Sequence, residues 1–373
     1  MQEIEAQPVE MLARKLAGRL LAVRERLAAF LATHPERLGL VRNATAGVGS
    51  VLRSIDWRKG DQVIVSNHGY NAVRQAVHAQ CERFGCEAVV VDIPLPLSGS
   101  DEVRTRFRSA INSRTRLVIV DHVTSPTALR FPVEEIAADC RAASVLCLVD
   151  GAHAPGMLDV DIDSIDCDWY TGNLHKWVCA PRGCAFLVAN KRVLSRTHPE
   201  TTSHQHGQGL ALEADWQGTQ DFSAWLSIPA ALDFIASGGP MASSLARRNI
   251  AMARWAHQML CDAWQVEPLS PRDGSMLGSM ATVPAPPGIA AAFASASEFQ
   301  AHLYGTHRIE VPVLDWGGRW LLRVSAQAYN TPQDYLLLAG AVSAEAGGAV
   351  DVGGGGAAAG GAAAAARACW KGT

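Results

Sequence analysis

Short, unbroken apolar runs alternate with amphipathic stretches through the first half of the chain. Residues 62–66 (QVIVS), 87–92 (EAVVVD), 116–121 (RLVIVD), 145–150 (VLCLVD) and 184–188 (CAFLV) are apolar through their centres rather than at every second position. Such runs predict strands covered on both faces. Between them, residues 72–84 end at Gly85, and residues 132–143 open with Pro132 followed by Glu134 and Glu135 in the first turn. Both patterns are helix boundaries with a physical cause: glycine tolerates the left-handed stop, and proline and acids suit a helix start. A further amphipathic run, Val48, Val51, Leu52 and Ile55, follows residues 42–47, and Leu12, Leu16, Leu20, Val23 and Leu27 predict a first helix over about 8–32. The alternation predicts an α/β fold, a mostly parallel sheet sandwiched by helices.

Beyond about residue 227 the pattern changes. Two helices are expected at about 227–237 and 240–265, then an irregular Pro-rich stretch at 284–288, then a helix-strand-strand-helix set over about 297–344. This reads as a smaller C-terminal α+β domain. The expected organisation is 1–226 for the N-terminal helix and large domain, 227–345 for the small domain, and 346–373 for a tail. Residues 346–366 are only Gly, Ala, Val and Asp. That composition cannot build a packed core, so a flexible extension is expected.

Charge narrows the function classes. The 373 residues hold 33 basic and 36 acidic side chains, a net charge of -3. No basic stripe for nucleic acid or for a membrane surface follows from this balance. No apolar run of membrane-spanning length occurs outside the Gly/Ala tail, and the opening MQEIEAQPVE lacks the basic and apolar regions of a signal peptide. A cytoplasmic protein is expected. Nine cysteines, an odd number with apolar neighbours, suggest reduced buried thiols. Cys179 and Cys184 have no matching second pair, and no metal site is expected.

Chemistry concentrates in VDGAHAPG (149–156) and DWYTGNLHKWVCAPRG (168–183). Asp150 ends a buried strand, where open α/β sheets bind ligands. His153 lies in the turn that follows. Lys176, in a Gly- and Asn-bearing loop beside Trp177, is costly to bury charged, and a buried lysine turns into a Schiff-base nucleophile. A strand-end aspartate with such a lysine suits pyridoxal phosphate: lysine holds the aldehyde and aspartate keeps the pyridine nitrogen protonated, making the ring an electron sink for a carbanion at an amino acid's Cα. The alternative is an exposed lysine and a strand-capping aspartate. Residues 42–47 place a small hydroxyl-bearing turn at a helix start, suited to a phosphate or simply to a Thr cap. Tyr70, after the 62–66 strand, suits stacking on a flat ring or ordinary core packing.

Together NATAGVGSVLRS (43–54), NHGYNAVRQAV (67–77), VDGAHAPG, TGNLHKWVCAPRG (171–183) and LRVSAQAYNT (322–331) resemble the class V aminotransferase family, over roughly residues 5 to 342. These are fold-type I pyridoxal phosphate enzymes, and the resemblance is strongest to the isopenicillin N epimerase-like branch. The resemblance implies that Lys176 forms the Schiff base, Asp150 partners the pyridine nitrogen, His153 reaches the phenolic oxygen and Tyr70 stacks on the ring. It implies Ala44, Thr45, Asn173 and His175 on the phosphate side, and Ser125 near the cofactor oxygen where desulfurases carry Asn. Thr219 matches a residue that reaches the phosphate of a neighbouring subunit, which implies a homodimer. Arg323 matches the arginine that holds the substrate α-carboxylate.

Relatives of this branch usually begin with some further residues that help close the substrate site, so a truncated, non-catalytic homologue that still binds cofactor is a second expectation. Among reactions, desulfuration needs a nucleophilic Cys ahead of the Arg323 strand, and residues 303–322 contain none. Epimerisation is expected first, with Lys176 serving one face of the carbanion, a C–S lyase second and an aminotransferase third.

Overall fold

A computed structural model describes residues 2–236 and 242–347. The predicted Gly/Ala-rich extension falls, from 348 onward, outside the described residues, as does the expected break between the two helices near 237–241. The chain divides into two units. The first takes in the chain up to Ile93, Asp101–Thr124 and Phe131 through the helix that ends at Ala236. The second takes in Pro94–Ser100, Ser125–Arg130 and the chain from Ser243.

The first unit opens with α1 (Gln2–Ala6), a π-helical turn (Glu10–Lys15) and α2 (Leu16–Phe30), which bury Met11, Leu16, Leu20, Val23 and Leu27 along one stripe. There follow β1 (Leu38–Val41), α3 (Ala44–Arg53), β2 (Gln62–Ser66), α4 (Asn71–Phe84), β3 (Glu87–Val91), α5 (Ser100–Ala110), β4 (Thr115–Asp121), α6 (Val133–Ala142), β5 (Leu146–Asp150), α7 (Ile162–Ile165), β6 (Trp169–Asn173) and β7 (Ala185–Ala189). Three helices close the unit: α8 (Leu210–Asp215), α9 (Ser223–Leu226) and α10 (Ile228–Ala236). The seven strands lie in the order β1-β7-β6-β5-β4-β2-β3. β7 pairs antiparallel with β1 and β6, and the other pairings are parallel. The expected mostly parallel sheet is therefore present.

Its core is continuous from helix to sheet. Val48, Val51 and Leu52 of α3 and Val73 and Val77 of α4 pack on Val63, Val65, Leu117, Ile119, Leu148 and Trp169. At about 1.5–3 kcal/mol for each large apolar side chain fully removed from water, this layer holds the strand ends rigid. α3 is started by Asn43, whose side chain accepts the N–H of Ala46 at 2.8 Å. Gly47 lets α3 settle on the sheet: a Cβ there would lie 2.1 Å from Oγ1 of Thr171.

The second unit contains α11 (Ala242–Trp264), β8 (Met280–Pro284), α12 (Ile289–Ala292), α13 (Ala296–His307), β9 (Val313–Trp316), β10 (Arg319–Ser325) and α14 (Pro332–Glu345). β10 is central in an antiparallel three-stranded sheet, β8-β10-β9. Thr331 and Asp334 form a reciprocal capping box at the start of α14, with Pro332 in the first turn.

Three strands were not anticipated from the sequence. β1 is four residues long and contains Gly39; β6 reads WYTGN, aromatic and polar rather than aliphatic; β8 leads directly into prolines. Asn173 thus ends a buried strand, not a loop.

Candidate active site

Asp121, Asp150 and Asn173 are the last residues of β4, β5 and β6, three adjacent parallel strands. This is the edge at which open α/β sheets bind ligands, and β2 and β4 bound the point where strand order reverses.

Asp150 is buried, 4% exposed. Its Oδ1 accepts the N–H of Ala152 at 3.0 Å, and its Oδ2 takes no hydrogen bond among the described residues. Burial pushes its carboxyl up from the usual carboxylate range, while positive charge on Lys176 acts in the opposite sense. Beside it in register stands Asp121, also buried. Burial raises the Asp121 carboxyl well above its ordinary value and the charge of Asp150 adds to this, against the backbone N–H of Tyr70 that bonds to it. Two adjoining buried carboxyls do not both ionise cheaply. Of the two, Asp121 is pushed further towards its protonated form.

This pair makes a pH prediction. A carboxyl whose folded pKa lies above its unfolded one makes the folded state bind more protons. Its stabilising contribution is complete below the unfolded value and is lost as pH rises through the folded one. Asp121→Asn stays neutral at every pH while keeping an oxygen for the Tyr70 N–H. The variant is therefore expected to gain stability relative to the wild type as pH rises from about 4 towards neutrality, about 4 being the ordinary aspartate value. Denaturant unfolding of both proteins across that range checks it; parallel stability curves would contradict it.

Lys176 and His153 come together. Nζ lies 2.9 Å from Nε2 of His153, whose Nδ1 receives the indole N–H of Trp177 at 3.3 Å. An indole nitrogen only donates, so Nδ1 is the accepting nitrogen of this pair. Nε2, on the other side of the ring, faces Nζ of Lys176. The arrangement sets Lys176 against a buried histidine that Trp177 holds by its Nδ1.

Behind the carboxylates, Tyr170 and His122 are buried, with Nδ1 of His122 2.9 Å from the tyrosine hydroxyl. The ring sits so close to the turn after Asp150 that a Cβ on Gly151 would lie 2.2 Å from the Tyr170 hydroxyl. Gly151 is needed for that approach.

On the α3 side, Oδ1 of Asn173 accepts the N–H of Ala44 at 2.9 Å. Asn173 therefore fixes the first turn of α3 to the end of β6; Ala44 is buried and Thr45 exposed. Nδ1 of His175 donates to the carbonyl of Cys184 at 3.0 Å, and burial lowers its pKa, so the imidazole is neutral with Nε2 as acceptor. Tyr70, 48% exposed, precedes α4 directly after the β2 turn. Thr219 is exposed in the loop between α8 and α9.

The other two predicted residues belong to the second unit, where they meet. Nη1 of Arg323, on β10, donates to the carbonyl and hydroxyl oxygens of Ser125. Ser125 thus serves Arg323 in this structure, a contact the sequence did not suggest. Burial lowers the Arg323 pKa, no carboxylate pairs with it among the described residues, and its Nε is shielded without a hydrogen-bond partner. An arginine left in this state is suited to an incoming carboxylate.

The sequence reading missed Asp121, His122, Tyr170 and Trp177. Asp121 had a visible signal, since RLVIVD ends in aspartate as VLCLVD does. Trp177 had none beyond its place next to Lys176.

The fold and site define a pyridoxal phosphate enzyme of fold type I. The Aminotransferase class-V family model matches residues 6–335, and the chain belongs to that family. It is similar to an isopenicillin N epimerase of Streptomyces clavuligerus, 32% identical over 92% of this chain and 89% of the epimerase. It is equally similar, at 32% identity over 84% of this chain and 71% of the relative, to a probable chloroplastic L-cysteine desulfhydrase of Arabidopsis thaliana. Among solved structures, a cystine C–S lyase aligns with a TM-score of 0.72 at 20% identity, covering 89% of this chain and 87% of the lyase. Among the described residues no helix is long and apolar enough to cross a membrane.

The residues fit the cofactor. Asp150 would turn towards a protonated ring nitrogen the carboxylate oxygen that takes no hydrogen bond among the described residues, and Lys176 would offer an amine for the aldehyde. When bound, the cofactor supplies an electron sink for the bonds at an amino acid's Cα.

Proposed function

We propose that the chain transforms an α-amino acid at its Cα, with Lys176 as the group that moves the proton and Arg323 as the group that receives the substrate carboxylate. The observation that carries this reading is the Trp177–His153–Lys176 relay, whose lysine acts electrostatically on the buried carboxyl of Asp150. Asp150 holds the cofactor nitrogen, His153 orients the lysine and Tyr70 covers the ring. Asn173 and His175 shape the phosphate end around Ala44 and Thr45. Thr219 is assigned to the phosphate of a partner subunit, so the active form is a homodimer.

Epimerisation of the isopenicillin N epimerase kind is the first reading. Its support is the breadth of the resemblance, which spans 89% of the Streptomyces enzyme. A C–S lyase is the second, supported by the equally similar desulfhydrase and by a reaction that needs no cysteine nucleophile. Incubating the holoenzyme with a panel of amino acids in deuterated water separates them. Exchange at Cα with inversion marks an epimerase; pyruvate with sulfide from cysteine marks a lyase; keto acid without sulfide marks a transaminase. No turnover of any substrate, with cofactor bound, leaves the non-catalytic homologue.

The relay is testable by itself. Trp177→Phe keeps the aromatic bulk but releases Nδ1 of His153, so the ring takes either tautomer. The rate at which the apoprotein captures pyridoxal phosphate on Lys176 near neutral pH is expected to fall about three- to tenfold, the worth of one hydrogen bond. Capture as fast as in the wild type would overturn the assignment to Trp177.

A further inference from the structure

A second cluster of ligating side chains lies in the second unit, at the ends of α13 and α14. Nε2 of His302 and Nε2 of His307 lie 2.9 Å and 3.0 Å from the same carboxylate oxygen, Oε1 of Glu345. The three ligand atoms lie within 4.8 Å of one another. His307 is the last residue of α13, His302 stands more than a turn earlier, and Glu345 is the last residue of α14.

Only His307 makes a hydrogen bond of good geometry to Glu345. Nε2 of His302 is shielded from solvent and meets no partner in good hydrogen-bond geometry, although it lies 2.9 Å from the same oxygen. Tetrahedral bonds of about 2.1 Å leave ligand atoms about 3.4 Å apart, so the 2.9 Å and 3.0 Å separations need open by only a few tenths of an ångström to admit an ion. The other His–His–Glu group among the described residues differs. There Nδ1 of His198 donates to Glu213 at 2.8 Å and the N–H of Gly207 donates to the same carboxylate at 3.1 Å, so hydrogen bonds already satisfy it.

The surroundings suit an ion as well. Nδ1 of His302 is 3.5 Å from the hydroxyl of Thr306, the kind of outer partner that orients a ligating imidazole. The Phe293 ring, 5.0 Å from that of His302, walls one side. Two imidazoles and a carboxylate are borderline ligands that favour zinc among the available divalent ions and leave the remaining positions to water.

We propose that His302, His307 and Glu345 form a zinc site that ties the end of α13 to the end of α14. The site is separate from the cofactor chemistry and acts by holding the two helix ends together.

The test uses full-chain holoenzyme purified without a histidine tag, stripped with chelator and dialysed against micromolar zinc. The wild type is expected to retain one zinc equivalent more than His302→Ala/His307→Ala and more than Glu345→Gln, while His198→Ala/His206→Ala retains as much as the wild type. Zinc is also expected to raise the melting temperature of the wild type and not that of Glu345→Gln. Cofactor content and circular dichroism report whether each variant has folded; Glu345→Gln, nearly isosteric, keeps the test open if the double variant has not. Equal zinc in the wild type and Glu345→Gln, or loss of zinc only with His198→Ala/His206→Ala, would overturn the proposal.

Discussion

Lys176→Ala is expected to abolish turnover, lowering it by about four orders of magnitude or more, the upper end of what a positioned proton-transfer group contributes. The expectation rests on two properties of one amine. In the proposed reaction it is both the nucleophile that anchors the cofactor and the base that serves the substrate. Nζ sits 2.9 Å from Nε2 of His153, whose Nδ1 accepts the indole N–H of Trp177. Borohydride treatment followed by peptide mapping checks the anchor directly: the reduced cofactor is expected on the peptide containing Lys176 in the wild type and on no peptide in the variant. Turnover by Lys176→Ala within tenfold of the wild type would remove the lysine from the mechanism.

What the sequence made legible follows the physics of burial. Strands whose burial required continuous aliphatic side chains, β2, β4 and β5, were readable to within a residue or two. β6 was not, because its buried positions are filled by Trp169, Tyr170, Thr171 and Gly172, whose roles are contacts with α3, β7 and the turn after Asp150. The same limit applied to the site. Asp150 and Lys176 stood out because a charged residue at the edge of an apolar run has few structural uses. Asp121 has that signature too, but its importance depends on being the register neighbour of Asp150, and pairing between strands is absent from the linear pattern. Ser125 shows the reverse case. Its family position suggested the cofactor, and in the structure its oxygens accept from Arg323, a residue 198 positions away. The His302–His307–Glu345 cluster was invisible for a related reason. Its two histidines are five apart, and the carboxylate that unites them comes from another helix.

Asp150→Asn is expected to leave the protein folded and able to take up cofactor while lowering turnover by about a thousandfold, within the range attributed to positioned acid–base groups. Asparagine fills the same space and its oxygen still accepts the Ala152 N–H that now binds Oδ1 at 3.0 Å. What it removes is the negative charge that the proposed reading sets against the ring nitrogen. The amide would offer an N–H where the carboxylate offered a lone pair, and so would favour an unprotonated ring nitrogen and a weaker electron sink. Asp121 sharpens the test. In the wild type burial pushes both carboxyls up, and the charge of Asp150 pushes Asp121 further. Once Asp150 is neutral, the charge that burdens Asp121 is gone and its carboxyl becomes easier to ionise. Asp121→Asn alone is therefore expected to cost far less activity than Asp150→Asn, because the charge on Asp150 remains. Cofactor content by absorbance, measured beside turnover for both variants, distinguishes loss of chemistry from loss of binding. Equal losses in the two variants would mean that the charge is shared across the pair, and the assignment of the ring-nitrogen partner to Asp150 alone would fall.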